Sequence, residues 1–114
     1  MAQERISGPE CEAVLAWLRS ECAGWPGVSE TTSWENPTFK ANGKTFAVVD
    51  RYRGEYCLFV HCAGDRREAL LAEEGWFAAP YDKKRQSLCR RLDGIDWDAF
   101  RPILRASYEG VMPG

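Results

Sequence analysis

The most reactive side chains in this sequence are its one histidine, His61, and its five cysteines, Cys11, Cys22, Cys57, Cys62 and Cys89. An imidazole beside a thiol could form a nucleophilic pair, and several such groups together could bind zinc. Cys57 shares a face with His61 in an extended strand but lies on the order of 13 Å away, and Cys62 points to the opposite face. A nucleophilic pair would therefore need a distant partner such as Cys89. No Cys-x-x-Cys pair occurs, so we expect reduced core thiols and neither a metal site nor a cofactor.

The acidic residues do not suggest an acid–base pair. Asp93, Asp96 and Asp98 are close in sequence, but Gly94 and the apolar helical pattern that follows explain them as turn and cap residues. The sequence also lacks the motifs of nucleotide-binding loops, serine hydrolases and zinc proteases. We therefore expect no catalytic residues and a protein that is not an enzyme.

Lysine and arginine residues are the remaining candidates for a functional site, because they bind phosphate groups. The net charge of the chain is −2, yet residues 37–62 carry a net +2 and residues 80–92 a net +4. Such residues can contact the backbone of a nucleic acid, or they can form a solvated rim or protect a sheet edge. The candidate nucleic-acid ligands are Lys40, Lys44, Arg51, Arg53, Lys83, Lys84, Arg85 and Arg90.

The length and composition are those of a globular protein. A chain of 114 residues with 45% hydrophobic and 28% charged residues can bury a core, and we expect one domain over residues 1–114. No run approaches the roughly 20 apolar residues of a membrane span, and the first residues lack the apolar stretch of a signal peptide. We expect a cytoplasmic protein without a membrane partner.

The first half of the chain is predicted to form a helix and then antiparallel strands. An N-cap at Ser7 and apolar residues at helical spacing as far as Cys22 indicate a helix. Asn42 and Gly43 supply the positive φ angles of a type I′ turn and so predict a hairpin. The predicted strands are residues 37–41, 44–52 and 56–62.

The second half is predicted to contain two helices and one strand. The predicted segments are a helix over residues 65–74, an aromatic loop over 76–81, a basic loop over 82–86, a strand over 87–92 and a final helix. Asp96 or Asp98 should cap that helix. Pro102 would cost roughly 3 kcal/mol inside it, so we expect a separate first turn or a kink near Arg101. The order of these helices and strands predicts an α+β domain in which N-terminal, middle and C-terminal helices pack on an antiparallel sheet.

Several blocks of the sequence resemble the MmcQ/YjbR family. They are SWENPTFK at residues 33–40, GKTFA at 43–47, Pro80-Tyr81, Leu-Asp-Gly at 92–94, and Ser107-Tyr108 with Val111, covering roughly residues 10–111. The chain departs from the family pattern at Glu35, where a small residue is usual, and at Ser87, where an aromatic residue is usual. The resemblance implies one α+β domain similar in shape to frataxin-like proteins. It also implies binding of DNA through a double-wing arrangement of hairpins.

Two functions remain open at this point. The first is a non-enzymatic protein that binds double-stranded DNA by contacting phosphates through the basic hairpin and the basic loop. The second is a protein- or small-ligand-binding module whose aromatic loop has a basic rim, with Trp34, Trp76, Phe77 and Tyr81 lining a depression. Within the family blocks we expect structural roles for Trp34, Pro37, Phe39 and Tyr81.

Overall fold

The computed structural model describes residues 9–33, 36–52, 54–79 and 82–113. These residues form an α+β fold of three helices and one six-stranded antiparallel sheet. The predicted fold class, antiparallel sheet and three helices are confirmed. The elements in chain order are α1 (Pro9–Cys22), β1 (Val28–Ser33), β2 (Asn36–Ala41), β3 (Lys44–Tyr52), β4 (Glu55–His61), α2 (Gly64–Leu71), β5 (Trp76–Phe77), β6 (Ser87–Arg91) and α3 (Trp97–Val111). The predicted features at Ser7, Trp34, Glu35, Arg53, Pro80 and Tyr81 lie outside the described residues.

No helix in the described ranges is both long enough and apolar enough to cross a membrane.

The sheet has the strand order β1-β2-β3-β4-β6-β5. The predicted hairpin is confirmed, because Ala41 pairs with Lys44 around a turn in which Asn42 and Gly43 have φ angles of 53° and 72°. Pro37 stands just before Thr38, the first β2 residue paired with β3. This position at the start of the strand suits a residue that lacks a backbone N–H.

Strands β1 and β5 form the two edges of the sheet, and neither was predicted from the sequence. The β1 sequence, VSETTS, contains one apolar residue, so it lacks the alternation that identifies a strand. Residues Trp76 and Phe77 pair with β6, and the prediction of an aromatic loop that begins at residue 76 is therefore wrong at its start. A strand of two residues is too short to produce a sequence period. Strands β1 and β5 are therefore defined by hydrogen-bond pairing with a neighbouring strand and not by a pattern in their own sequences.

Helices α1 and α3 cover one face of the sheet. Alternate residues of the strands point to this face, including Leu58 and Val60 of β4, which are fully buried. Phe39 also lies in this core. The largest buried side chains are Phe39, Phe46 and Phe100, together with Leu18, Leu58, Leu88 and Leu104. All five cysteines are buried and none forms a disulfide, as expected for core thiols.

Helix α3 runs without interruption from Trp97 to Val111 and contains Pro102. Of the two predicted alternatives, the separate first turn is wrong, and the kink near Arg101 stays a prediction. The predicted cap is correct, because the Asp96 carboxylate accepts hydrogen bonds from the backbone N–H groups of Asp98 and Ala99. Because Pro102 has no backbone N–H, the carbonyl of Asp98, four residues earlier, lacks its helical donor. Asp98 is exposed, so water can reach this carbonyl. Burial of Phe100 on the same helix favours continuing it across the proline.

The opposite face of the sheet is here called the second face. Lys40 and Thr45 pair on it across the β2–β3 hairpin, and Phe59 and His61 lie on it in β4. Cys57, Phe59, Phe77, Ala79 and Cys89 form a separate small apolar cluster there. Polar and aromatic side chains are therefore presented side by side on the second face, away from the main core.

Candidate functional site

A cavity of about 420 Å³, here called the depression, lies between the second face and residues 82–86, the predicted basic loop. Its described lining residues are Thr45, Phe59, His61, Asp82, Lys83, Lys84, Gln86 and Ser87. Thr45 belongs to the hairpin that carries Lys40 and Lys44, and Lys83 and Lys84 come from the basic loop. The two predicted basic segments, about forty residues apart in the chain, therefore border the same depression.

Thr45 and His61, which line the depression, lie beyond the point where β3 and β4 stop pairing. Their register ends at Ala47 and Val60. Beyond this point Ser107 of α3 replaces the missing partners: its hydroxyl donates to the Phe46 carbonyl and accepts a 2.8 Å hydrogen bond from the His61 N–H. Both backbone groups are thus satisfied, and His61 is held at the gap between the strands.

The His61 ring packs against Gly110 of α3. A Cβ atom at residue 110 would lie 2.6 Å from His61 Cδ2, so a larger residue there would displace the ring. Glycine inside a helix costs roughly 1 kcal/mol relative to alanine. Glycine at residue 110 therefore lowers helix stability but leaves space for the His61 ring beside the depression.

Asp82 organises the basic loop. Its two carboxylate oxygens accept hydrogen bonds from the backbone N–H groups of Gln86, at 3.2 Å, and Ser87, at 2.9 Å. The buried guanidinium of Arg67 lies 3.9 Å from the same carboxylate and donates a 3.1 Å hydrogen bond to the Ser87 carbonyl. These contacts tie the loop to α2 and to the start of β6.

The electrostatic environment keeps the Asp82 carboxylate ionised. Burial alone would raise its pKa, but hydrogen bonds from Ser87 and from the Gln86 amide, together with the charge of Arg67, outweigh burial and lower the pKa of Asp82. The negative charge is therefore already compensated by these contacts. The depression keeps the positive character of its two lysines.

The cations of the basic loop are exposed. Lys83, Lys84 and Arg85 form no salt bridge with any of the described residues. Arg85 has a φ of 54°, which lies in the left-handed region and marks a tight return of the chain toward Gln86. The anchored loop therefore exposes three consecutive positive charges to solvent, and two of them, Lys83 and Lys84, line the depression.

The hairpin contributes two further lysines. Lys44 is exposed at the tip, and Lys40 is half-buried, directly opposite Thr45. Neither forms a salt bridge within the described part of the chain. Lys40 stands beside the depression in the sheet register, whereas Lys44 pairs with Ala41, whose side chain lies in the main core. Neither lysine lines the depression.

Two other predicted ligands have structural contacts. The guanidinium of Arg90 donates to the carbonyls of Arg91, Asp93 and Gly94 at 2.6, 3.4 and 3.3 Å, and it packs against Gly75 where a Cβ would clash. Arg51 lies over the Tyr56 ring, 5.7 Å from its centroid, on the helix-covered face. The structure thus does not bring Arg51 or Arg90 to the depression. Arg53 is outside the described residues.

The aromatic depression of the alternative hypothesis does not form from its described members. Trp76 stacks on Phe100 in the main core, with ring centroids 6.1 Å apart, whereas Phe77 lies on the second face with Arg91 over its ring. Adjacent strand residues point to opposite faces, so these two rings cannot line one surface. Trp34 and Tyr81 are outside the described residues.

Sequence reasoning missed six residues of the depression: Thr45, Phe59, His61, Asp82, Gln86 and Ser87. The alternation in β4 places Phe59 and His61 on one face and was a usable signal. Nothing in the sequence indicates that the basic loop folds over that face, because this contact depends on the pairing of β4 with β6.

The cysteines do not form a metal site. The ranges that the structure describes contain no group of three or more histidine, cysteine or acidic side chains placed to bind a metal ion. A hydrogen bond with Cys89, followed by burial, raises the pKa of the Cys57 thiol, and burial raises the pKa of Cys22 to about 11. Both thiols are therefore protonated near neutral pH and are poor nucleophiles.

Comparison with known proteins gives a family match. A family model described as YjbR matches residues 23–110, which include the hairpin, the basic loop and most of α3. No protein of curated function matches the chain.

Solved structures share the fold. A Deinococcus radiodurans protein, DR2400, described with a DUF419 domain, superposes with a TM-score of 0.74 at 24% identity, covering 85% of this chain and 77% of that protein. A Pseudomonas syringae protein superposes with a TM-score of 0.72 at 10% identity, covering 85% of this chain and 97% of the other. At these identities the similarity extends to the fold alone.

Proposed function

We propose that this chain, which belongs to the YjbR family, is a non-enzymatic nucleic-acid-binding protein that contacts phosphate groups around the depression. The observation that carries the proposal is the shared border: Thr45 of the basic hairpin and Lys83 and Lys84 of the basic loop line one cavity. Phosphate contacts from lysines supply most of the affinity of sequence-independent nucleic-acid binding.

The five proposed phosphate ligands are Lys40, Lys44, Lys83, Lys84 and Arg85. Their lack of salt bridges within the described residues supports this role, because a cation that is already paired must lose its partner before it can neutralise a phosphate. Arg51 and Arg90 are left out of the proposed interface, since their guanidinium groups contact the protein itself. A net charge of −2 is compatible with the proposal, because the acidic residues are concentrated in other segments.

The test is the fluorescence anisotropy of a labelled DNA duplex titrated with the protein at about 50 and 200 mM salt. Five phosphate contacts predict a loss of affinity of about 10²- to 10³-fold between the two salt concentrations. Replacing Lys83 and Lys84 with Gln should weaken binding about tenfold at the lower salt concentration and reduce the salt slope by about 2.

Arg19→Gln combined with Arg101→Gln is the matched control. This control also removes two positive charges, but from helices α1 and α3, where Arg19 pairs with Glu30 and Arg101 with Glu21. This control should bind like the unmodified protein. If neither a duplex nor a single strand shows salt-dependent binding, or if both double variants weaken binding equally, the proposal is wrong.

A further inference from the structure

We infer that the depression accommodates one nucleotide whose base is unpaired, with the phosphate at Lys83 and Lys84 and the base against Phe59. This inference rests on the proposed function and specifies the ligand of the same site. The ligand chemistry is a nucleoside phosphate, supplied either by a single strand or by a free mononucleotide.

The volume of the depression is the first argument. About 420 Å³ lies within the roughly 300–1,000 Å³ typical of small-molecule sites. A duplex presents phosphates on its outer surface and keeps its bases stacked inside, so phosphate contacts along a duplex require no cavity of this size. A nucleotide with an exposed base can place both its phosphate and its ring in such a space.

The lining chemistry is the second argument. Phe59 provides an aromatic wall, and bases stack on aromatic side chains regardless of sequence. The amide of Gln86 can both donate and accept hydrogen bonds, as the edge of a base requires, and the Thr45 hydroxyl can do the same toward a sugar. The lysines supply compact positive charges for a phosphate.

The arrangement of charge also favours this ligand. The Asp82 carboxylate lines the depression, but its oxygens are held by the Gln86 and Ser87 amides and by Arg67. The acidic residue therefore does not cancel the attraction of Lys83 and Lys84 for a phosphate. The same contacts hold the loop in place before a ligand arrives, which reduces the ordering cost of binding.

The experiment compares a labelled single-stranded oligonucleotide with the duplex of the same sequence at about 50 mM salt. Adenosine 5′-monophosphate, inorganic phosphate and adenosine serve as unlabelled competitors. We expect the single strand to bind at least about tenfold more tightly than the duplex, because stacking on one aromatic side chain alone is worth about that factor. We also expect the mononucleotide to compete more effectively than phosphate or adenosine.

Phe59→Leu and Phe77→Leu form a matched pair of variants. Both residues belong to the small cluster on the second face, but only Phe59 lines the depression. Phe59→Leu should weaken single-strand binding about tenfold and leave duplex binding unchanged, and Phe77→Leu should change neither. Gln86→Ala provides an independent test if Phe59→Leu does not fold, because Gln86 is exposed and its backbone N–H still reaches Asp82.

The outcomes separate this inference from the proposed function. Equal or tighter binding of the duplex, with a mononucleotide that competes no better than phosphate, overturns the inference and leaves phosphate contact intact. Direct binding of adenosine 5′-monophosphate, measured by calorimetry, without salt-dependent binding of either oligonucleotide overturns nucleic-acid binding and identifies a free nucleotide as the ligand. Absence of binding by every probe overturns both.

Discussion

The two sets of cations around residues 82–91 differ in what they contact. Lys83 and Lys84 are exposed at the depression, whereas Arg67 and Arg90 donate to backbone carbonyls, and Arg67 also lies beside Asp82. In the sequence all four are simply positive charges. The structure teaches that the arginines hold the loop and the turn in position, and that the lysines are left available to a ligand.

The largest effect is expected when the anchor of the basic loop is removed. Asp82→Asn leaves the buried Arg67 guanidinium without its carboxylate and weakens the contacts to the Gln86 and Ser87 amides. We expect a loss of about 3 kcal/mol in the free energy of unfolding, measured by urea titration of tryptophan fluorescence. Asp93→Asn makes the same chemical change at an exposed turn and should cost less than about 0.5 kcal/mol. Equal effects of the two variants would show that Asp82 is not an anchor.

The second prediction compares the two kinds of cation directly. Arg90→Met removes hydrogen bonds to three carbonyls and should lower the free energy of unfolding by about 2 kcal/mol, without changing the affinity of the folded protein for nucleic acid. Lys84→Met should do the reverse, weakening binding while stability stays within about 0.5 kcal/mol. If Arg90→Met weakens binding as much as Lys84→Met, the division between structural and ligand-binding cations fails.

The third prediction concerns pH. The pKa of Asp82 is lowered in the folded protein, so its ionised form stabilises the fold above the unfolded value of about 3.9, and this contribution is lost as the pH falls through the folded pKa. The stability of the unmodified protein should therefore exceed that of Asp82→Asn at neutral pH, and the two should converge below about pH 4. A constant difference between pH 7 and pH 3 would argue against this role of the ionised carboxylate.

The smallest effect is expected at Gly110. Gly110→Ala gains helix propensity, roughly 1 kcal/mol, but forces the His61 ring to move, so the net change in stability should be below about 1 kcal/mol. The informative measurement is the NMR signal of the His61 ring, which should shift, together with a few-fold loss of nucleotide affinity. Unchanged ring signals would show that His61 does not depend on the space beside Gly110.

The sequence by itself determined the elements whose signals are local. Asn42-Gly43 specifies the hairpin because its turn needs positive φ angles, and the Asp96 carboxylate specifies the start of α3 because it caps free N–H groups. The apolar periodicity of the helices and inner strands was sufficient to predict an α+β domain.

Only the tertiary structure decided the features that depend on distant contacts. The edge strands β1 and β5 exist because a neighbour pairs with them, and α3 continues through Pro102 because burial of its apolar face compensates for the lost hydrogen bond. The depression likewise required residues from the hairpin, β4 and the basic loop to meet. These contacts also decided which cations donate to the protein itself and which remain available to a ligand. A charged residue in the sequence does not specify its partner.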